Sequence, residues 1–161
     1  MSTPPVRILF VCMGNICRSP AGEGVLAKMV AESGLSDRIQ IDSAGTLGMH
    51  AGNAPDSRMH AAAANRGYDL TSRARQVTAA DLDEFDLVLV MDRDNERNVL
   101  KLVKTDSQRE RVRLFCTFCE KHMEHEVPDP YYGQSQGFEY VLDLLEDGCS
   151  GVLAWAQEKV S

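Results

Sequence analysis

The sequence contains no long hydrophobic run. Nowhere in its 161 residues does a stretch approach the roughly 20 consecutive apolar positions that a membrane-spanning helix needs. The opening residues, MSTPP, also lack the basic and apolar regions of a secretory signal. We therefore expect a cytoplasmic protein with no membrane partner.

Basic residues are scarce relative to acidic ones. The chain has 17 Lys and Arg against 24 Asp and Glu, which gives a net charge of −7 at pH 7. Because nucleic-acid binding depends on Lys and Arg that neutralise phosphates, this balance argues against a nucleic-acid partner. An anionic ligand must therefore be bound by a local cluster of donors.

The number of cysteines is odd. Cytoplasmic thiols are kept reduced, and an odd count argues against a simple disulfide framework. At least one thiol is therefore expected to have a role other than a structural crosslink. The five cysteines are Cys12, Cys17, Cys116, Cys119 and Cys149.

Short apolar segments alternate with helical patterns along the chain. The first segment, Val6 to Cys12, is rich in β-branched residues and is typical of a buried strand. Ser19 is expected to cap the helix that follows through its hydroxyl. The alternation predicts an α/β fold in which helices cover both faces of a parallel sheet, and residues 1–161 show no repeat or linker that would divide one domain. Predicted strands cover 6–12, 39–45, 85–91 and 111–115, and predicted helices cover 19–33, 57–65 and 92–103 and begin again near Gly137.

Residues 12–20 follow the first strand directly. Gly14 and Asn15 allow a curled backbone, and Arg18 leads into the start of a helix. Such a loop directs backbone N–H groups and the positive end of the helix dipole at one point, where a tetrahedral oxyanion binds. The planar fork of Arg18 binds two oxygens at once, and the same donors favour the nucleophilic thiolate of Cys12.

This loop resembles the signature of the low-molecular-weight protein tyrosine phosphatases. The resemblance extends from Val11 to Pro20, and residues 129–133 (DPYYG) resemble the general-acid segment of that family. Shorter matches at 42–46, 74–76 and 91–92 occur in the order that the family shows, so the resemblance covers nearly the whole chain. It implies a four-stranded parallel sheet flanked by helices on both faces.

The resemblance also implies a mechanism. Cys12 attacks phosphorus to form a cysteinyl-phosphate, and Asp129 protonates the departing phenolate before it takes a proton from the hydrolysing water. Arg18 and the loop N–H groups bind the phosphoryl oxygens, and Ser19 forms a hydrogen bond to the sulfur. No metal or cofactor is required, and the implied partners are phosphotyrosine-containing proteins and oxyanions such as phosphate. The implied substrate-binding residues are Met13, Gly14, Asn15, Ile16, Cys17, Ser19, Met49, Tyr131 and Tyr132.

Three positions bear on specificity and rate. Relatives that act on phosphoarginine resemble this loop with Thr in place of Ile16, so Ile16 favours aryl phosphates. Met49 stands near a position where many relatives have an aromatic residue, and Ser72 stands where they often have His. These departures predict modest activity toward aryl phosphates. The resemblance also implies that Asn15 and Ser43 brace the loop through side-chain hydrogen bonds, and Ser72 leaves open how Asn15 is itself held.

Several residues have two interpretations. Asp129 lies between two prolines and is also typical of a stiffened turn. Cys17 either captures oxidised Cys12 as a disulfide, as the resemblance implies, or is a small buried side chain. The C-x2-C-x2-H-x2-H pattern at 116–125 has the residue types of a zinc site, but its middle gap is shorter than structural zinc sites use.

The sequence leaves two further hypotheses of function. A thiol-coupled arsenate reductase shares this type of fold and loop but relies on an additional cysteine pair, and residues 91–94 after the third strand contain no cysteine. A catalytically silent phosphopeptide-binding module would keep the loop without the chemistry. The retention of Cys12, Arg18 and Asp129 argues against such a module.

Overall fold

Four parallel strands form the sheet of this structure, a computed structural model that describes residues 4–131 and 135–160. Cys12 pairs with Gly45 and Val11 with Val90, so the carboxyl ends of three neighbouring strands lie at one edge. The predicted four-stranded parallel sheet is confirmed, although its last two strands are shorter than expected. The strands are β1 (Val6–Cys12), β2 (Ile39–Gly45), β3 (Leu87–Val90) and β4 (Val112–Leu114), in the order β2-β1-β3-β4.

The described residues form six α-helices and one short 3-10 helix. The second α-helix has the bounds that its sequence predicts. The sequence does not predict the third and fifth, because four and six residues are too few to show a helical period. Among the described helices, none is long and apolar enough to cross a membrane. They are α1 (Arg18–Glu32), α2 (Ser57–Asn65), α3 (Asp81–Glu84), α4 (Arg93–Leu100), α5 (Asp106–Arg111) and α6 (Ser135–Val160), with the 3-10 helix at Phe115–Phe118.

Alternation along β1 divides its side chains between two cores. Ile8, Phe10 and Cys12 belong to one core, which they share with residues of α1, α2 and α6. Leu9 and Val11 belong to the other, which includes residues of α3 and α4. Because successive strand residues point to opposite faces, helices cover both faces of the sheet as predicted. Cys12 therefore lies on the face that α1 covers.

The N-cap of helix α1 lies two residues earlier than predicted. Its N-cap is Cys17, whose side chain makes no capping hydrogen bond. The prediction that Ser19 caps this helix is wrong, since its hydroxyl lies 3.0 Å from the sulfur of Cys12. Pro20 lies in the first turn, and Gly34 follows the helix with a φ of 72°, a conformation that favours glycine.

Gly148 allows α6 to pack closely against Phe115. A Cβ at this position would lie 2.3 Å from two ring carbons of Phe115, which is itself fully buried. We expect Gly148→Ala to lower the free energy of unfolding by about 1–3 kcal/mol, despite the higher helix propensity of alanine. Urea denaturation followed by circular dichroism measures this change. Gly137→Ala is the matched control, because its Cβ would meet its nearest neighbour at 3.5 Å; an equal loss in both variants would contradict the packing argument.

Candidate active site

A pocket of about 120 Å³ opens at the carboxyl edge of the sheet. The loop between β1 and α1 forms one side of it. The loop after β2 is joined to this first loop by two hydrogen bonds, from Thr46 N to Cys12 O and from Leu47 N to Met13 O, each of 2.9 Å. The lining residues are Cys12, Met13, Gly14, Ile16, Cys17, Arg18, Met49, His50, Asp129 and Tyr131.

Most of the predicted site residues therefore meet in one pocket. Asn15 and Ser19 are the exceptions among the described ones: they lie behind the loop and are buried, with 2% and 0% of their surface exposed. Tyr132 lies outside the described residues. His50 lines the pocket without having been predicted, and its ring centroid is 6.3 Å from that of Tyr131.

Asn15 fixes the curl of the loop. Its φ of 58° is in the left-handed region, and it is the one non-glycine residue there in the described part of the chain. Its side-chain oxygen accepts a hydrogen bond from Arg75 N at 2.9 Å, and its amide nitrogen donates to Ser19 Oγ at 2.7 Å. A strained conformation of this kind persists only where the surroundings enforce it, and these two bonds do so.

The candidate nucleophile lies at the end of this hydrogen-bond chain. Cys12 is 2% exposed, and its Sγ is 3.0 Å from Ser19 Oγ. Because Asn15 donates to that hydroxyl, the serine proton points to one of two acceptors, the sulfur at 3.0 Å or the more distant carbonyl of Ala44 at 3.4 Å. The hydroxyl of Ser19 is thus in place to donate a hydrogen bond to the sulfur of Cys12.

Arg18 is buried and held along one edge. Its Nη1 donates to Asp92 Oδ2 at 2.7 Å and to the carbonyl of Val127 at 2.9 Å, while its Nη2 lies 3.7 Å from Asp129 Oδ2. Burial opposes its charge, but the nearby Cys12 and the bonded Asp92 together raise the pKa of Arg18 above its usual value. The guanidinium is therefore a permanent cation of fixed orientation beside the sulfur.

Asp92 is a site residue for which sequence reasoning gave no role. It lies two residues after the carboxyl end of β3 and also caps α4, where Asn95 N donates to Asp92 Oδ1 at 2.7 Å. Ligand sites of parallel sheets lie at this edge. The position of Asp92 at this edge could have marked it as a site residue from the sequence, although it does not identify Arg18 as its partner.

Asp129 lines the same pocket as the loop. Its side chain is 31% exposed, and its Oδ1 accepts a hydrogen bond from Tyr131 N at 3.0 Å. The segment before it is attached to the sheet, because Val127 N donates to Met91 O at 2.8 Å. The carboxyl group is thus held at the pocket while remaining accessible to a substrate.

Cys17 is buried inside the loop. Burial is the main cause that raises the pKa of this thiol, and the negative charge of Asp56 adds to it. The side chain is therefore a neutral thiol in the resting protein. Its predicted disulfide with oxidised Cys12 stays a prediction.

Ser43 does not brace the loop as expected. Its hydroxyl donates to Glu23 Oε1, on α1, at 2.7 Å. Ser72 also forms a hydrogen bond to Glu23 rather than to Asn15. These two serines therefore solvate a half-buried carboxylate, and Asn15 is braced by Arg75 instead.

The cysteine and histidine pattern at 116–125 serves the packing of α6. Among the described residues, no three His, Cys, Asp or Glu side chains come close enough together to bind a metal. Instead His122 Nδ1 lies 2.8 Å from Asp147 Oδ2. The same buried carboxylate accepts hydrogen bonds from the backbone of residues 120–122, so it holds this segment against the helix.

The fold and the loop define a class: an α/β protein with an oxyanion pocket above a cysteine at the end of its first strand. A family model described as low molecular weight phosphotyrosine protein phosphatase matches residues 7–161. The chain belongs to this family.

Relatives and solved structures agree with this assignment over nearly the whole chain. A Synechocystis relative named after the family is 47% identical over 148 residues, which cover 92% of this chain and 94% of the relative. The crystal structure of a protein tyrosine phosphatase from Entamoeba histolytica, with Hepes in its active site, is 39% identical and covers 96% of this chain and 98% of its own, with a TM-score of 0.92. Vibrio vulnificus Wzb in complex with benzylphosphonate is 27% identical and covers 95% of this chain and 98% of its own, with a TM-score of 0.78.

The half-buried Glu23 predicts a pH-dependent stability. Burial is the main cause that raises the pKa of Glu23, so its charged form is disfavoured in the folded state. Below the ordinary glutamate pKa of about 4.3 both states are protonated and no penalty exists, and the penalty grows as the pH rises through the folded-state pKa. Glu23→Gln should therefore raise the thermal midpoint at neutral pH and give a smaller gain near pH 4.

Thermal unfolding at several pH values measures this difference. Glu32→Gln, an exposed glutamate on the same helix, is the matched control and should show no such trend. A Glu23→Gln midpoint equal to or below that of the parent protein at neutral pH would contradict the argument.

Proposed function

We propose that this chain forms one phosphatase domain over residues 1–161 that hydrolyses phosphotyrosine in proteins, and small aryl phosphates, through a cysteinyl-phosphate. The observation that supports this most is that Cys12, Arg18 and Asp129 all line one pocket of about 120 Å³. A nucleophile, an oxyanion-binding cation and an acid are the three groups that this reaction needs.

The first step transfers the phosphoryl group to sulfur. The thiolate of Cys12 forms a bond to phosphorus as the bond between phosphorus and the phenolic oxygen breaks, and Asp129 donates a proton to that oxygen. Arg18 and the N–H groups of residues 13–18 stabilise the charge on the three remaining oxygens. Because Asp92 and Val127 already hold the guanidinium of Arg18, this donor needs little reorganisation during the reaction.

The second step releases phosphate. Water attacks phosphorus while Asp129, now ionised, accepts its proton, and the bond between sulfur and phosphorus breaks. The hydrogen bond from Ser19 stabilises the departing thiolate, in keeping with the 3.0 Å separation of Oγ and Sγ. The enzyme returns to its starting state with no oxidant, metal or cofactor.

The walls of the pocket suit an aromatic leaving group. Tyr131 offers a ring face, while Ile16 and Met13 offer apolar surface close to the loop. Met49 is 70% exposed, so its flexible thioether gives a loose wall on the side where an aromatic residue was expected. Wzb of Vibrio vulnificus, a structural relative, is complexed with benzylphosphonate, which presents a phenyl ring next to a tetrahedral anion.

A thiol-coupled arsenate reductase is less well supported. Cys116 lies in the 3-10 helix that packs against α6, and Cys119 directly follows this helix, with its Sγ 3.6 Å from Leu144 O. Neither residue lines the pocket that contains Cys12.

Substrate class is tested with a panel of phosphopeptides that contain phosphotyrosine, phosphoserine or phosphoarginine. We expect phosphate release from phosphotyrosine only, since the apolar walls accommodate a ring and Asp129 protonates a phenolate. Cys12→Ser is expected to abolish release, by at least about 1,000-fold, because its hydroxyl is a far poorer nucleophile than a thiolate. The variant should still bind inorganic phosphate in calorimetry; release from phosphoarginine alone would overturn the proposal.

The acid role of Asp129 is tested by the dependence on leaving group. Asp129→Ala should lower kcat/KM for phenyl phosphate by about 100-fold or more, because an unprotonated phenolate leaves poorly. For p-nitrophenyl phosphate the loss should be much smaller, since nitrophenolate leaves as an anion. Steady-state kinetics on both substrates measures the ratio, and equal slowing of the two would remove Asp129 from this role.

A further inference from the structure

The N-terminus of α2 lies between the nucleophile loop and the acid segment. On one side, Asp56 N donates a hydrogen bond of 2.7 Å to the carbonyl of Ile16, in the middle of the loop. Asp56 is also the N-cap of α2, since its Oδ1 accepts hydrogen bonds from Arg58 N at 2.9 Å and Met59 N at 3.4 Å. The start of this helix is therefore fixed to the loop that contains Cys12.

The side chain of Arg58 extends this attachment. Its Nε and Nη2 lie 3.2 Å and 3.0 Å from the two carboxylate oxygens of Asp56, which is a two-pronged ion pair. Burial by itself raises the pKa of Asp56, but the hydrogen bonds from Arg58 and the helix backbone outweigh it and lower the pKa below its usual value. The pair is therefore ionised at neutral pH, and the guanidinium plane has a defined direction.

On its other side Arg58 holds the acid segment. Its Nη2 donates to the carbonyl of Tyr131 at 2.8 Å, and the guanidinium carbon lies 5.4 Å from the ring centre of Tyr131 and 4.8 Å from that of Phe138. Tyr131 N in turn donates to Asp129 Oδ1 at 3.0 Å. A continuous series of contacts thus joins the loop to the acid.

We propose that Arg58 is a positioning residue for Asp129, which sets the placement of the acid relative to the nucleophile loop. This inference rests on the proposed function of Asp129 as general acid. Arg58 itself lines no part of the pocket, so it acts only through Tyr131.

A restraint on Asp129 is needed because of a competing attraction. Its carboxylate lies 3.7 Å from Arg18, the cation that must bind the phosphoryl oxygens. If the segment moved inward, Asp129 would pair closely with Arg18 and occupy the space of the substrate. By holding the backbone at Tyr131, Arg58 keeps the carboxyl group directed at the leaving oxygen.

Arg58→Lys is the informative substitution. Lysine keeps the positive charge near Asp56, but a single ammonium group cannot maintain a two-pronged pair and also reach the carbonyl of Tyr131. We expect kcat/KM for phenyl phosphate to fall about 10-fold, and that for p-nitrophenyl phosphate to change by less than about 2-fold, because only the first needs a well-placed proton. A purely structural role would slow both substrates equally.

Arg66→Lys is the matched control. Arg66 lies at the other end of the same helix and pairs with Glu139, Asp143 and Glu146 of α6, far along the helix from the acid segment. Arg66→Lys should alter the thermal midpoint without changing the substrate ratio, which is kcat/KM for p-nitrophenyl phosphate divided by kcat/KM for phenyl phosphate. Arg58→Gln, measured in the same way, serves as a second variant if the lysine substitution affects folding.

A double-mutant cycle separates this inference from the function on which it rests. In the Asp129→Ala background, Arg58→Lys should have no further effect on the ratio, since there is no acid left to position. If the substrate ratio rises with Asp129→Ala but not with Arg58→Lys, the positioning role of Arg58 is overturned and the acid role of Asp129 is not. A ratio unchanged by Asp129→Ala would overturn the acid itself, and an Arg58→Lys effect that persists without Asp129 would show that Arg58 acts by another route.

Discussion

The buried charge of Arg18 is the constraint on which the rest of the site depends. An arginine whose side chain is 3% exposed is costly in free energy unless it is paired and hydrogen-bonded. Asp92 supplies the opposite charge and Val127 an additional carbonyl, and these residues belong to the end of β3 and to the segment before Asp129. Satisfying one buried cation therefore fixes three parts of the chain relative to one another.

The curl of the loop depends on close backbone approach rather than on charge. Any Cβ at position 45 would lie 2.7 Å from the carbonyl of Met13, so Gly45 allows β2 to lie against the loop. On the far side, Asn15 in its left-handed conformation links Arg75 to Ser19. Contacts within the protein thus hold the loop in its curl, and a fixed loop of this kind is the condition for electrostatic catalysis without reorganisation.

The fold was largely predictable because its signals are local. Residues 6–12 and 57–65 form the predicted elements with the predicted bounds, since apolar runs and caps report on their own surroundings. Ser19 shows the limit: its local sequence fits an N-cap, but the bond to Cys12 is made instead. Asp92 and Arg58 were not predictable, because their contacts join residues 74 and 73 positions apart, and only the folded chain brings these together.

An acidic chain can bind a phosphate dianion because the carboxylates around its pocket are not free charges. Asp92 is paired with Arg18 and Asp56 with Arg58, so each contributes little repulsion, and the loop dipoles determine the local field. Asp129 differs from these two carboxylates because it makes no close ion pair: its Oδ2 lies 3.7 Å from Arg18 Nη2. A second anion next to a bound dianion would repel it, whereas the acid of the proposed mechanism carries a proton and is neutral. The proposed mechanism therefore places a neutral acid, and not another negative charge, beside the leaving oxygen.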